Sequence, residues 1–220
     1  MSDPGALIDR YCKYLEWLGG RLLTGNARTL TNHGSRWCVD TDQGPVEASS
    51  AVVALGPWAG VVTAQLGYRL RVAVERGYHM HYAPRGDAIL HRPVLDAERG
   101  YFITPMARGI RLTTGVEFAN RDAPKTPVQL ERAERVARSL FPLNHRLDAE
   151  PWMGCRPCTP DMMPVIGPAP NHKNLWFAFG HAHHGLTLGA VTGRLISEMI
   201  VGEKPLVNMA PFRVDRPQLR

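Results

Sequence analysis

Between Gly154 and Thr187 the chain reads GCRPCTPDMMPVIGPAPNHKNLWFAFGHAHHGLT, and few folds accommodate that order. The apolar-aromatic run Leu175–Phe179 predicts a short buried strand. Gly180 to Gly185 predicts a turn, and Leu186 to Val201 a helix with Leu188, Val191, Leu195, Met199 and Ile200 inward. A strand, a glycine-bracketed turn and a helix start bring several backbone N–H groups to one helix N-terminus. That end attracts partial or full negative charge, such as a phosphate or an electron-rich carbonyl. A plain strand-to-helix turn has the same sequence signature, so the pattern alone leaves both readings open.

The rest of the chain supplies layers for this unit. Asp3-Pro4 predicts a capped helix start, with Leu7, Ile8, Tyr11, Leu15 and Leu18 at helical spacing and Gly19-Gly20 as its end. Short alternating pieces at 21–24, 27–32 and 35–40 follow, punctuated by Gly25, Gly34 and Gly44 as in hairpins. Val46 runs into the continuous apolar strand Ala51–Leu55. Gly56-Pro57 breaks it, and Trp58 to Leu66 predicts a short helix. From Arg69 to Phe118 the pattern turns to antiparallel strands near 70–82, 88–94, 100–104 and 110–116. Thr126-Pro127-Val128-Gln129 reads as a capping box opening a helix through Leu140, and a strand is expected around 149–156. The tail from Gly202 reads as a surface strap.

Several functions are disfavoured at once. No G-x-G-x-x-G, P-loop, G-x-S-x-G or H-E-x-x-H occurs. The net charge of +6 comes from scattered residues, not from the dense basic tract of a nucleic-acid binder. No apolar run approaches a membrane span, and the first residues lack a signal pattern. A cytoplasmic location is expected, with peripheral association at the inner face of the cell membrane compatible with the mild positive charge. Cys155 and Cys158 form C-x-x-C, but Pro157 and Pro160 oppose the helix a redox motif needs, so Cys12, Cys38, Cys155 and Cys158 read as isolated thiols. His181, His183 and His184 have no carboxylate beside them in sequence and no helix to align them, so no metal is assigned. His79 and His81 read as half-buried strand residues. Arg156, fixed by its neighbours Cys155 and Pro157, could clamp a carboxylate through two parallel hydrogen bonds. It could equally be a structural arginine paired with Asp161 or Glu150.

Taken together, six stretches resemble the FAD-dependent D-amino acid oxidase and dehydrogenase superfamily, and bacterial D-amino acid dehydrogenases in particular. They are DPGALIDRYCKYLEWLGGRLLTG, EASSAVVALGPWAG, VERGYHMHY, RGYFITPMARGIRLTTGVEF, GCRPCTPDMMPVIGP and NLWFAFGHAHHGLTLGAVTGRLISEMI. The resemblance implies a mixed α+β and α/β architecture. Residues 1–67 and 154–220 would be part of a FAD-binding α/β lobe, and 68–153 a substrate domain on a mixed, largely antiparallel sheet with helices. It implies FAD as cofactor and oxidation of a D-amino acid or related amine to the imino acid and then the keto acid, by hydride transfer to the flavin.

By the same resemblance, Arg156 matches an arginine that clamps the substrate carboxylate, and Tyr101 a tyrosine that binds the same group. Tyr78, with His79, would wall the pocket, and Glu117 would be a polar active-site group. Gly180, His181, Gly185, Leu186 and Thr187 would face the flavin pyrimidine end. Ala54, Gly56 and Trp58 would line the FAD. No general base is assigned. Ala182 and His184 depart from the family turn, which carries glycine and an aliphatic residue there. The family also opens with a βαβ unit bearing G-x-G-x-x-G, which this chain lacks. The chain is therefore expected to be a fragment, a split-gene product or a truncated relative. It would need a preceding FAD-binding segment or a partner subunit, expose an apolar sheet edge, and bind FAD weakly alone. A flavin-less module that binds amino acids or another subunit is the alternative.

Overall fold

A computed structural model describes residues 1–219. The chain divides into two compact units, Met1–Leu22 with Arg76–Cys155 and Leu23–Glu75 with Arg156–Arg220. The division falls inside two strands, so neither unit is a continuous stretch of sequence.

The first unit is built on a seven-stranded sheet. Its long strand β5 (Ala73–Pro84) is flanked by β10 (Leu143–Arg146) and β8 (Gly109–Thr114). The order continues to β7 (Tyr101–Met106) and β6 (Val94–Asp96), while β9 (Glu117–Phe118) and β11 (Trp152–Cys158) also pair with β5. The β5–β8, β8–β7 and β7–β6 ladders are antiparallel, as the alternating pattern predicts. One face packs Tyr78, Met80, Tyr101, Ile103 and Leu112 together with α3 (Val128–Leu140). Leu130, Ala133 and Ala137 form the helix's inward stripe at i, i+3 and i+7. Complete burial of Leu130 contributes about 2 kcal/mol.

The capping box expected at Thr126–Gln129 does not form. The Thr126 hydroxyl goes to Glu117, Gln129 Nε2 donates to the Val116 carbonyl, and the helix opens at Val128 with no side-chain cap. No strand forms at 88–93, where Gly86-Asp87 and Pro93 favour turns; only β6 remains of it. α1 (Pro4–Trp17) belongs to this unit. Asp3 caps it by accepting from Ala6 N–H at 2.9 Å, as the Asp-Pro signal predicts. None of its residues is buried; Tyr11, Tyr14, Trp17 and Leu18 are all exposed.

The second unit holds two three-stranded sheets. β1 (Gly25–His33), β2 (Arg36–Thr41) and β3 (Gly44–Ala48) form an antiparallel meander. β12 (Val165–Pro168), β13 (Leu175–Phe179) and β4 (Ala51–Val53) form the other, with β13 and β4 parallel. The parallel pairing of β13 with β4 accords with the near-continuous apolar run of each, although Val52 on β4 is 43% exposed. β12 has no counterpart in the sequence reading, because its four residues sit between prolines that read as loop. α2 (Ala59–Gln65) and α4 (Gly185–Ile200) complete the unit. Trp37, Val53, Ala59, Val62, Phe177 and Phe179 make its main core.

The inward face of α4 differs from the expected one. Thr192, Leu195 and Ile196 are buried, whereas Val191 and Ile200 are exposed. α4 is apolar around much of its circumference, so periodicity does not single out one face. Among the described residues no helix is long and apolar enough to cross a membrane.

Candidate functional site

In the second unit, β13 ends at Phe179 and the chain turns sharply. Gly180 has φ +80°, and a Cβ there would lie 3.2 Å from Thr159 Cγ2, so the turn needs glycine. A 3-10 turn over Ala182–His184 leads into α4 at Gly185. His184 N–H donates to the His181 carbonyl at 2.8 Å, but no side chain caps the helix. The first amides of α4, which have no intrahelical acceptor, therefore keep their donor capacity and the positive end of the helix dipole.

Ala54, Gly56, Gly180, His181 and Gly185 line one groove of about 570 Å³, with Val52, Pro157, Gly189 and Gly193. A Cβ added at Gly56, Gly189 or Gly193 would meet nothing within 4 Å, so the wall is open for a flat group to approach backbone closely. Among the described residues the groove carries no Asp, Glu, Lys or Arg. A planar ring with an electron-rich edge fits such a cradle, and the residues present fit a flavin. The other three residues expected at the flavin lie elsewhere. Trp58 lines a separate small cavity with Asn26 and Leu55, and Leu186 and Thr187 are exposed outside the groove lining.

The three turn histidines separate. His181 Nε2 meets Thr192 Oγ1 at 2.9 Å, and burial holds its ring below the usual imidazole range. His183 Nε2 lies 3.3 Å from Glu75 Oε2, while the His184 ring sits edge-on to that of His183. Ala182, where the family turn has glycine, adopts φ +48°. A left-handed alanine stores strain, so Ala182→Gly is expected to raise stability by about 1 kcal/mol, read as a higher urea midpoint.

Arg156 lies on β11, two residues from Cys158, so both side chains project from the same face of the strand. Asp161 takes both oxygens to Arg216, at 2.7 and 3.0 Å, and Glu150 lies 3.8 Å from Lys125. All four cysteines are free thiols. Cys158 is buried and its thiol is pushed up to about 11, by burial first and then by the Glu75 carboxylate, with Arg156 opposing.

The remaining expected residues lie in the first unit. Tyr78 Oη donates to Glu117 Oε2 at 2.9 Å and accepts from Arg76 Nη2 at 2.7 Å and Thr126 N–H at 2.9 Å. Burial opposes ionisation of Glu117, but hydrogen bonds from Thr126 and Tyr78 and the Arg76 charge outweigh it and hold its pKa down. The polar atoms of Tyr78 and Glu117 are thus engaged with each other and with the loop before α3. Tyr101 is fully buried, and its hydroxyl makes no well-aligned hydrogen bond among the described residues. Burial, then the Asp96 carboxylate, raises its pKa. His79 stacks on Trp152, 4.6 Å between ring centroids, and burial, then Arg111 and His81, lowers its pKa to about 4. His81 Nδ1 meets Asp148 at 2.8 Å. Glu75 had no place in the sequence reading, and His183 figured there only in the metal site that was not assigned.

A family model described as FAD dependent oxidoreductase matches residues 1–199. A D-amino-acid oxidase of Bradyrhizobium diazoefficiens is 30% identical across 97% of this chain and 52% of its own length. A D-amino acid dehydrogenase of the same organism is 32% identical across 98% of this chain and 52% of its own length. Among solved structures, the glycine oxidase of Geobacillus kaustophilus superposes with a TM-score of 0.72 at 25% identity, covering 89% of this chain and 52% of that one. The chain spans about half the length of the curated relatives it matches. With nine-tenths of its residues inside the family match, the chain belongs to the FAD-dependent oxidoreductase family.

Proposed function

We propose that this chain supplies the substrate-binding part and the flavin-ring cradle of an enzyme that oxidises a D-amino acid or related amine to the imino acid, which hydrolyses to a keto acid. The observation that carries the proposal is the groove in which Ala54, Gly56, Gly180, His181 and Gly185 meet at the uncapped start of α4. When bound there, FAD supplies the two-electron acceptor. The α4 amides would stabilise negative charge at the pyrimidine edge of the ring. Arg156 is the proposed carboxylate clamp, with its two parallel donors fixing the substrate's orientation. Tyr101 keeps a proposed substrate role because, among the described residues, its buried hydroxyl lacks an aligned partner. Tyr78 and Glu117 are proposed to frame the loop behind it and not to touch substrate.

We further propose that the ADP half of FAD is held by protein outside these 220 residues, either a further segment of a longer chain or a partner subunit. The sequence contains no G-x-G-x-x-G. Among the described residues β4 is an edge strand with Val52 43% exposed, which a further parallel strand would cover.

The chain alone is expected to bind FAD weakly, and more tightly when the dinucleotide-binding half of a relative is added in trans. Anaerobic addition of D-alanine to that mixture should bleach the yellow flavin band. Amino acid that binds while the flavin stays oxidised would sink the enzyme reading in favour of a flavin-less binding module. Arg156→Ala should weaken amino-acid binding on the order of a hundredfold, because a charge-paired contact is lost.

A further inference from the structure

The sheet of the first unit packs one face into its core, and the opposite face carries charge. Tyr78, Met80 and Tyr82 of β5 belong to the core, so the alternation of a strand sends His79 and His81 to the other side. Arg111 of β8 stands directly across from His81. Trp152 of β11 joins them, its ring stacked on that of His79. Together with Arg108 and the start of α1, these side chains line a cavity of about 520 Å³.

Within that cavity Arg111 is anchored by its inner nitrogen. Its Nε donates to His81 Nε2 at 3.1 Å. An arginine Nε always carries its proton, so His81 Nε2 accepts and the ring proton sits on Nδ1, which donates to Asp148 Oδ2 at 2.8 Å. The chain Asp148–His81–Arg111 thus holds the guanidinium in one orientation. Among the described residues no hydrogen bond or ion pair reaches its two outer nitrogens, Nη1 and Nη2. The neighbouring carboxylates are engaged by other groups. Asp148 receives His81 on one oxygen and Arg108 Nη2, at 2.9 Å, on the other. Asp3, which also lines the cavity, uses Oδ1 to cap α1.

We propose that this cavity is a second ligand site, in which Arg111 grips the carboxylate of a small aromatic acid through Nη1 and Nη2 while Trp152 supports the ring. The outer edge of a guanidinium offers the two parallel donors that a carboxylate accepts. Trp152 is 56% exposed with His79 stacked against it, so the same cavity presents an aromatic surface for a flat ligand. The volume suits a molecule of one ring and one carboxylate. Every lining residue belongs to the first unit, whereas Arg156 belongs to the second, so this site does not depend on the role proposed for Arg156.

Calorimetric titration of the 220-residue chain with phenylacetate, phenylacetamide, acetate and inorganic phosphate tests both halves of the site. Phenylacetate is expected to bind about tenfold tighter than its neutral amide, the worth of a charge-assisted contact. It should bind about fivefold tighter than acetate, the worth of an aromatic stack. Arg111→Gln should remove the preference over the amide, and Trp152→Leu the preference over acetate. The titrations are repeated in an Arg156→Ala chain, where the phenylacetate site should persist. Phenylacetate binding that Arg156→Ala abolishes, or that Arg111→Gln leaves at its wild-type strength, overturns the proposal, as does a wild-type chain that does not distinguish phenylacetate from phenylacetamide. Phosphate that binds as tightly as phenylacetate overturns the assignment to an aromatic carboxylate, and so does an unchanged preference over acetate in Trp152→Leu. If Arg111→Gln fails to fold, Arg111→Lys replaces it. That variant keeps the charge but loses the fork, so phenylacetate should bind about threefold more weakly, and unchanged binding overturns the proposal.

Discussion

Arg76→Met is expected to lower the thermal midpoint on the order of 10 °C, the consequence of leaving a shielded carboxylate without its cation. Arg76 is completely buried. Its Nη1 donates to the carbonyls of Asn120 and Ala123, and its Nη2 to Tyr78 Oη and the Pro124 carbonyl. Its Nε sits 2.8 Å from Glu117 Oε2, close enough for an ion pair but not aligned as a hydrogen bond. This single fork satisfies most of the loop between β9 and α3. Methionine fills similar volume, so the loss is electrostatic and polar rather than a cavity. Combining Arg76→Met with Glu117→Gln should recover part of the midpoint, because the uncompensated charge is gone. A thermal melt of the two single variants and the double variant measures that coupling. Strict additivity would show that Glu117 does not depend on Arg76.

The second large effect lies at Arg216, where Arg216→Ala should cost about 3–5 kcal/mol. Arg216 is almost fully buried and grips Asp161 with two hydrogen bonds. It also donates to the carbonyls of Met163, Pro164 and Arg213. It thereby fastens the C-terminal strap, whose Val214 and Leu219 are part of the main core of the second unit. Urea unfolding, together with limited proteolysis of the strap, reads the change.

The pair also sets an acid limit. The Arg216 guanidinium, working against burial, holds the Asp161 pKa at about 2, below its ordinary value of 3.8. A depressed carboxylate stabilises the fold above its unfolded pKa and ceases to do so as pH falls through the folded one. A contribution of about 2 kcal/mol should therefore be present above about pH 4 and vanish by about pH 2. Arg36→Ala is the control: its pair with Glu47 is half exposed at both ends and should change stability by about half a kcal/mol or less.

The sequence made some of this legible and hid the rest for physical reasons. α1, β4, β13 and α4 follow from local signals: a cap, an apolar run, a glycine stop. The groove was half visible, since the Gly180–Gly185 turn and the Ala54–Gly56 strand end are local features, and their meeting depends on the parallel pairing of β13 with β4. Trp58 could not be excluded from it, because one 3-10 turn at Gly56–Trp58 redirects the ring. The Thr126 capping box failed because a carboxylate nine residues upstream competes for the same hydroxyl. Glu75 and His183 are more than a hundred residues apart in sequence, and no local pattern announces such a pair. Arg76 and Arg216 look like ordinary scattered charges until their acceptors, mostly main-chain carbonyls, are seen.

The interleaving of the two units has a consequence for synthesis. Every residue of the first unit has been made once Cys155 is joined, while the second still awaits Arg156–Arg220. Trp37 and Val53 must remain without their partners Phe177, Val214 and Leu219 until those residues have been made. The emerging polypeptide thus carries an unfinished apolar surface after its first unit is made, which is the interval in which a chaperone or a premature neighbour would act. A stop codon that removed only the strap would leave that surface permanently open.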